Sequence, residues 1–177
     1  MKKILLGVTG SISAYKAADI ANGLVKKEFD VHAVMTKAAV GFITPLTMQA
    51  LTKNWVYTDV LQEQNPTEIA HISLAQQSHL ILVAPATANI IGKIAAGIAD
   101  DMLTSLILAV PDNIPKLIAP AMNSQMYANK IVQENLAKLQ ACGWEIIEPR
   151  VSRLACGDIG KGALASLETI LDCVTRF

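Results

Sequence analysis

Short apolar runs, repeatedly interrupted by stretches of helical spacing, constrain this chain more than any other feature. Lys3–Val8, Val31–Met35, His79–Ala84, Lys116–Ala119 and Trp144–Ile147 are short and rich in branched apolar residues. Between them Ser13–Lys27 places Ala17, Ile20, Ala21 and Leu24 at helical intervals, and Pro45–Thr52, Ile90–Gly97, Met102–Ala109 and Gln125–Ala141 also read as helices. Strands that are apolar at nearly every position are buried on both faces. Such strands alternating with helices predict a parallel sheet covered on both sides. A chain of 177 residues is long enough for one such domain with a full core and too short for two. No repeat, low-complexity tract or linker divides it, so residues 1–177 read as a single α/β domain.

Composition narrows the function classes. Apolar residues make up 52% and charged residues 17%, more apolar than an ordinary domain of this size. The longest apolar stretches, Leu103–Val110 and Leu80–Ala88, fall short of the roughly 20 residues that cross a bilayer. The surplus therefore favours apolar surface buried against other subunits over a monomer with an apolar exterior. The formal net charge is zero and the basic residues are scattered apart from the pairs Lys2-Lys3 and Lys26-Lys27, which argues against a nucleic-acid footprint. The start Met1–Leu6 superficially matches a leader, but its apolar run stops at Gly7, as expected of a buried first strand. Cys142, Cys156 and Cys173 form no close-set pair; neither a disulfide framework nor a metal site is expected, and a reducing cytoplasm fits. Cys142 and Cys173 read as core residues on helical faces.

In a parallel α/β sheet, ligands bind beyond the carboxyl ends of the strands. After the first strand, Gly7-Val8-Thr9-Gly10-Ser11-Ile12-Ser13 offers a tight turn and small hydroxyls at a helix start, suited either to a phosphate or to capping. A dinucleotide site would want a third glycine and an acid after the second strand. Here Ser13 stands in the third-glycine region and Met35-Thr36-Lys37 follows the strand, so a mononucleotide is favoured. Thr36 itself could bind ligand or cap the next turn. After the third strand comes Pro85-Ala86-Thr87-Ala88-Asn89, in which Pro85 ends the strand, small residues admit a flat ring, and Asn89 could cap a helix or touch a ligand. After the fourth comes Pro120-Ala121-Met122-Asn123, with the same two readings for Asn123 and with Met122 placed to pack on an apolar group.

These last two segments resemble the PASANT and PxMNxxMW signatures of the homo-oligomeric flavin-containing cysteine decarboxylases. The resemblance extends through His71-Ile72-Ser73-Leu74, Gly97-Ile98-Ala99-Asp100-Asp101 and Ala155-Cys156-Gly157-Asp158. It implies a Rossmann-like (flavodoxin-like) sheet binding FMN, with the flavin held by Gly10, Ser11, Ile12, Thr36, Pro85, Ala86, Thr87, Ala88 and Asn89. It implies His71 as catalytic base, Asn123 with Met122 as the substrate-carboxylate site, and Cys156 as proton donor in a flap near residues 149–163. His32 and His79 are expected to be structural. Within the family the pattern lies nearest to members acting on 4'-phosphopantothenoylcysteine in coenzyme A biosynthesis, with 4'-phosphopantetheine as product. There the thiol is oxidised to a thioaldehyde, CO2 is lost, and the enethiol is reduced again, because the redox cofactor carries the step that side chains cannot. An imidazole suits thiol deprotonation as a general base.

The departures are specific. Thr87 and Ile90 replace the Ser and final Thr of PASANT, and Tyr127 replaces the terminal Trp of the second motif. Gly162-Ala163-Leu164 stands where the family carries Gly-Arg-Met, which leaves Lys161 as a candidate cation. A monofunctional decarboxylase without a fused ligase is implied, assembled as a homotrimer or a dodecamer of trimers. A peptidyl-cysteine decarboxylase, a flavin prenyltransferase or a non-catalytic FMN-binding regulator are the alternatives; Cys156 in its Ala-Cys-Gly-Asp setting separates the first of them, and the Met-Asn motif the second.

Overall fold

The computed structural model describes residues 1–62, 65, 67–153 and 159–177, with only the backbone of Arg153 and Ile159. Five strands, β1 (Lys3–Val8), β2 (Asp30–Met35), β3 (Leu80–Ala86), β4 (Lys116–Pro120) and β5 (Trp144–Ile146), form one sheet in the order β2-β1-β3-β4-β5. Every neighbouring pair is parallel. The alternation of side chains sorts the core into two layers. Ile4, Leu6, Val8, Val31, Ala33, Met35, Leu82 and Leu117 face one way, and Leu5, Val34, Ile81, Val83 and Ile118 the other, as the two-residue period of a strand requires.

Helix α1 (Lys16–Lys26) covers the first face with Ala17, Ile20, Ala21 and Leu24, all buried. Eleven residues are too few for a stable isolated helix. Burial of side chains such as Ile20 and Leu24, worth about 1.5–3 kcal/mol each, holds it in place. Helices α2 (Lys37–Val40) and α3 (Pro45–Thr52) follow β2. The opposite face is covered by α4 (Ala70–Gln77), α5 (Ala88–Ala96), α6 (Met102–Ala109) and α8 (Lys130–Ala141), through buried residues such as Leu74, Ile91, Leu106 and Leu139. The short α7 (Ser124–Ala128) precedes α8. After β5, an antiparallel hairpin of β6 (Arg150–Arg153) and β7 (Ile159–Ala163) precedes α9 (Leu167–Thr175).

All five expected strands are present, and Pro45–Thr52 and Met102–Ala109 are helices with the expected limits. Three expectations are corrected. Pro85 does not end β3; the strand runs through a cis Ala84–Pro85 bond to Ala86, with a register irregularity between Val83 and Ala86. Gln125–Ala141 is two helices rather than one, because the Asn129 side chain accepts the Ile131 amide and starts α8 afresh. Cys142 is exposed at the C-terminal end of α8, not in the core. Helix α4 and the hairpin had not been anticipated, since neither carries a long apolar period. Cys173 is half-buried and packs against the core as expected.

Among the described residues no helix is long and apolar enough to cross a membrane. Large apolar side chains are nonetheless exposed, including Leu46, Trp55, Ile69, Ile72, Leu108 and Ile131.

Candidate active site

The strand order turns around between β1 and β3. The chain leaves β1 toward β2 on one side and returns to β3 on the other, so the loops after β1 and β3 part there and open a crevice. Thr9 fastens the crevice floor. It is buried, its hydroxyl donates to the Pro85 carbonyl at 2.7 Å, and its oxygen accepts the Thr87 amide at 3.1 Å.

A polar residue after each of the first four strands is the N-cap of the helical element that follows. Ser11 accepts from Ser13 N–H, Thr36 from Ala39 N–H, Thr87 from Ile90 N–H, and Asn123 Oδ1 from Gln125 N–H. After β3 the cap is Thr87, not Asn89, which is already inside α5. Capping leaves ligand contact open for the hydroxyls, because a hydroxyl that accepts one N–H still has its own proton to donate. Asn123 has spent its carbonyl oxygen on α7, so its value to an anion rests on the amide nitrogen.

Two cavities open at these carboxyl ends. The hairpin-side cavity, about 480 Å3, is lined by Gly10–Ser13, Thr87, Ala88, Ala121–Asn123 and, from the hairpin, Arg150, Ser152, Gly162 and Ala163. The α2-side cavity, about 550 Å3, is lined by Gly10, Thr36, Lys37, Thr87, Ala88, Asn89, Lys93 and Asp101. Gly10, Thr87, Ala88 and Met126 line both. These sizes suit a drug-sized ligand or cofactor.

Gly10 permits this geometry because β1's loop presses on α2: a Cβ there would stand 2.4 Å from Ala38 Cβ. Across the site, the hairpin presses on the loop after β4. Gly162 lies at φ +155° with its carbonyl accepting the Met122 amide at 2.9 Å, and a Cβ there would meet Met122 O at 2.3 Å. Lys161 pairs with Glu148 at 2.6 Å and stands 5.5 Å from the centre of the Tyr127 ring, whose hydroxyl also donates to Glu148. The hydrogen bond to Glu148 raises the Lys161 pKa; burial, followed by the Glu148 charge, raises that of Tyr127.

The segment Gly97–Asp101 has a structural account. Gly97 ends α5 at φ +68°, Asp100 binds Lys93 at 2.7 Å, and Asp101 makes a capping box with Thr104 at the start of α6.

The flavoprotein family's sequence profile matches residues 1–177. This chain belongs to the flavoprotein family. A probable phosphopantothenoylcysteine decarboxylase of Streptococcus mutans is 53% identical over 170 residues, covering 96% of this flavoprotein and 95% of the relative. A PPC decarboxylase mutant complexed with pantothenoylaminoethenethiol superposes with a TM-score of 0.91 at 32% identity, covering 99% of this flavoprotein and 97% of that chain. The FMN binding protein AtHal3 gives a TM-score of 0.89 at 33% identity, with 99% and 96% covered. Longer relatives also match: the flavoprotein spans 41% of the Bacillus subtilis coenzyme A biosynthesis bifunctional protein CoaBC, at 48% identity over 96% of its own length.

Of the residues singled out from sequence, this flavoprotein brings Gly10, Ser11, Ile12, Thr87, Ala88, Met122 and Asn123 to the hairpin-side cavity and Thr36 and Asn89 to the α2-side cavity. Pro85 and Ala86 lie within β3 and line neither; the Pro85 carbonyl is held by Thr9. His71 sits in the first turn of α4 and lines neither cavity. Its Nδ1 is buried with no hydrogen-bond partner among the described residues. Cys156 lies outside the described residues. His32 is held by Asp30 at 3.0 Å, and His79 Nδ1 accepts the Lys3 amide, both inside the fold's framework. Tyr15, Lys16, Lys93, Met126 and Arg150 line the cavities without having been singled out as site residues. Only Met126 carried a signal, three residues beyond Asn123 on the same short helix.

Proposed function

We propose that this flavoprotein decarboxylates 4'-phosphopantothenoylcysteine to 4'-phosphopantetheine, using FMN, in coenzyme A biosynthesis. The reading is carried by one observation: the Thr87 loop, the Asn123 loop and the hairpin, far apart in sequence, line a single cavity. The near-full-length relative named for this activity supports it.

The donor set of the α2-side cavity and its rim suits a flavin mononucleotide. Ser11, Thr36 and Thr87 each have a hydroxyl proton to give to phosphate oxygens, and Lys37 adds a positive charge. β2 ends at Met35 and is followed by Thr36-Lys37, with no acid to hold an adenosine ribose. FMN, when bound, would supply the two-electron oxidation and the return reduction that no side chain can perform.

The chain's own residues do the rest. Asn123 orients the carboxylate through its amide nitrogen and Met122 gives it an apolar neighbour. His71 takes the thiol proton, and Cys156 returns a proton to carbon as the product forms. The distance of His71 from both cavities is met by assembly as a homotrimer or dodecamer of trimers, in which a second copy brings its own α4 to the site. Exposed Ile69 and Ile72 flank His71 and supply apolar surface for that contact.

A mass-resolved product assay tests the function. The purified protein is expected to be yellow and to yield 4'-phosphopantetheine with CO2. An oxidised enethiol as final product would instead favour a peptidyl-cysteine-type decarboxylase, and a yellow but inactive protein a non-catalytic FMN-binding regulator. Asn123→Asp keeps the cap on Gln125 but sets two negative charges together; turnover should be abolished with FMN still bound. Cys156→Ser should accumulate the enethiol, and normal product from it would remove Cys156 from the mechanism. Mixed oligomers of His71→Asn and Asn123→Asp chains should regain activity if two copies build each site, and stay inactive if one copy does.

A further inference from the structure

The hairpin-side cavity adjoins a third cavity of about 340 Å3, formed between α1 and the start of α9 and lined in part by Ile20, Leu164, Ser166 and Ile170. Tyr15, Lys16 and Arg150 line both, so these side chains stand where the two spaces meet. Two of the three are cations. Among the described residues neither Lys16 nor Arg150 has an ion pair; Lys16 lies only 5.7 Å from the centre of the Tyr15 ring.

Two other cations of the neighbourhood are occupied. Lys161 is held by Glu148 and Lys93 by Asp100. This answers the question raised by the small residue at Ala163: Lys161 points its charge into the Glu148–Tyr127 cluster rather than at a ligand. Arg150 is the direct cross-strand partner of Ala163. Residues opposed in a ladder share a face, and a methyl group there leaves the guanidinium room over the cavity. Asp19, exposed one turn beyond Lys16 on α1, is the carboxylate on the third cavity's lining; it lowers the local charge without cancelling two cations.

An arginine and a lysine facing concave space suit a doubly charged phosphate monoester. The guanidinium offers two parallel N–H donors, and the ammonium a compact charge. We propose that Lys16 and Arg150 form the subsite for the substrate's terminal phosphate, with the linking chain lying along the hairpin-side cavity from Asn123. This rests on the substrate reading above and adds to it the residues that select a phosphorylated ligand.

Calorimetric binding of 4'-phosphopantetheine and of pantetheine to the FMN-loaded protein tests this independently of turnover. The wild type should prefer the phosphorylated ligand. Arg150→Met and Lys16→Met should each lose about ten- to a hundredfold of phosphopantetheine affinity, with pantetheine affinity and flavin absorbance unchanged. Variants that discriminate as the wild type does would overturn the subsite. So would flavin loss in the variants, since the cations would then hold the cofactor's phosphate. If the wild type binds both ligands equally the subsite is also wrong, whereas a clear preference without CO2 release keeps it and rejects the decarboxylase reading.

Discussion

The two sides of the hairpin-side cavity are built by different means. The floor, from the loops after β1 and β3, is held by side-chain oxygens bonded to the backbone: Ser11 and Thr87 accept the Ser13 and Ile90 amides, and Thr9 ties β1 to the end of β3. The hairpin side depends on docking. The Met122 amide donates to Gly162, Gly160 and Gly162 lie close against Ser124 and Met122, and Lys161 reaches Glu148. A wall made of capped strand ends is as stable as the sheet beneath it. A wall made of a docked hairpin is only as firm as its few contacts. The difference teaches where change should be felt: residues of the capped strand ends are tied into the sheet, whereas those of the hairpin side are held through its docking contacts.

Substitutions can break or sharpen this contrast. The largest effect is expected for Gly10→Ala, which drives a methyl group into Ala38 and separates the β1 loop from α2. Overpacking of this kind costs about 1–3 kcal/mol, and flavin absorbance of the purified protein should fall together with the melting temperature. Gly162→Ala attacks the other wall, where a Cβ would collide with the Met122 carbonyl. Turnover should drop at least about tenfold while bound flavin is retained, since remote misplacement costs catalysis first; a flavin-free protein would refute the separation of the walls. Thr87→Ala removes one cap of the floor, and a loss of about 1 kcal/mol is expected. In a chain of this length that shifts the midpoint by about 2–4 °C, measurable by thermal unfolding.

The smallest effect belongs to Lys161→Met. The lysine is about half exposed (side chain 49%), so its pair with Glu148 is worth less than about 0.5 kcal/mol. Its pKa is raised by Glu148, so the pair's stabilisation is fully present below the unfolded-state value near 10.4 and disappears as pH rises through the higher folded value. Melting curves of variant and wild type should therefore differ slightly at pH 8 and converge once the pH has passed the raised folded value. A gap that persists there would assign the loss to the side chain's packing rather than to its charge.

The fold was largely legible because buried parallel strands are written as unbroken apolar runs, and α6 is written as Leu103, Leu106 and Ile107 behind an Asp101 cap. Helix α4 was missed because only Leu74 and Ala75 of its eight residues are buried, too few to show a period. The hairpin was missed because its strands are short and rich in glycine and charge. Within the site, Ser11, Thr36, Thr87 and Asn123 could be picked out by their place after strands, though cap and ligand contact looked alike there. The structure shows that each does cap. Arg150 and Lys16 could not be found, because an isolated cation has no periodic or motif context.

The sequence alone therefore determined the parallel sheet, its strand-end loops and the family to which the chain belongs. Those properties are local, set by apolar runs and by short motifs read in order. Only the tertiary structure decided that the Asn123 loop and the hairpin share a cavity, that Lys161 is bound to Glu148, that Arg150 and Lys16 meet at one rim, and that His71 stands outside both cavities. Each of these joins residues distant along the chain, and the distances across a cleft follow from packing, which no local pattern records.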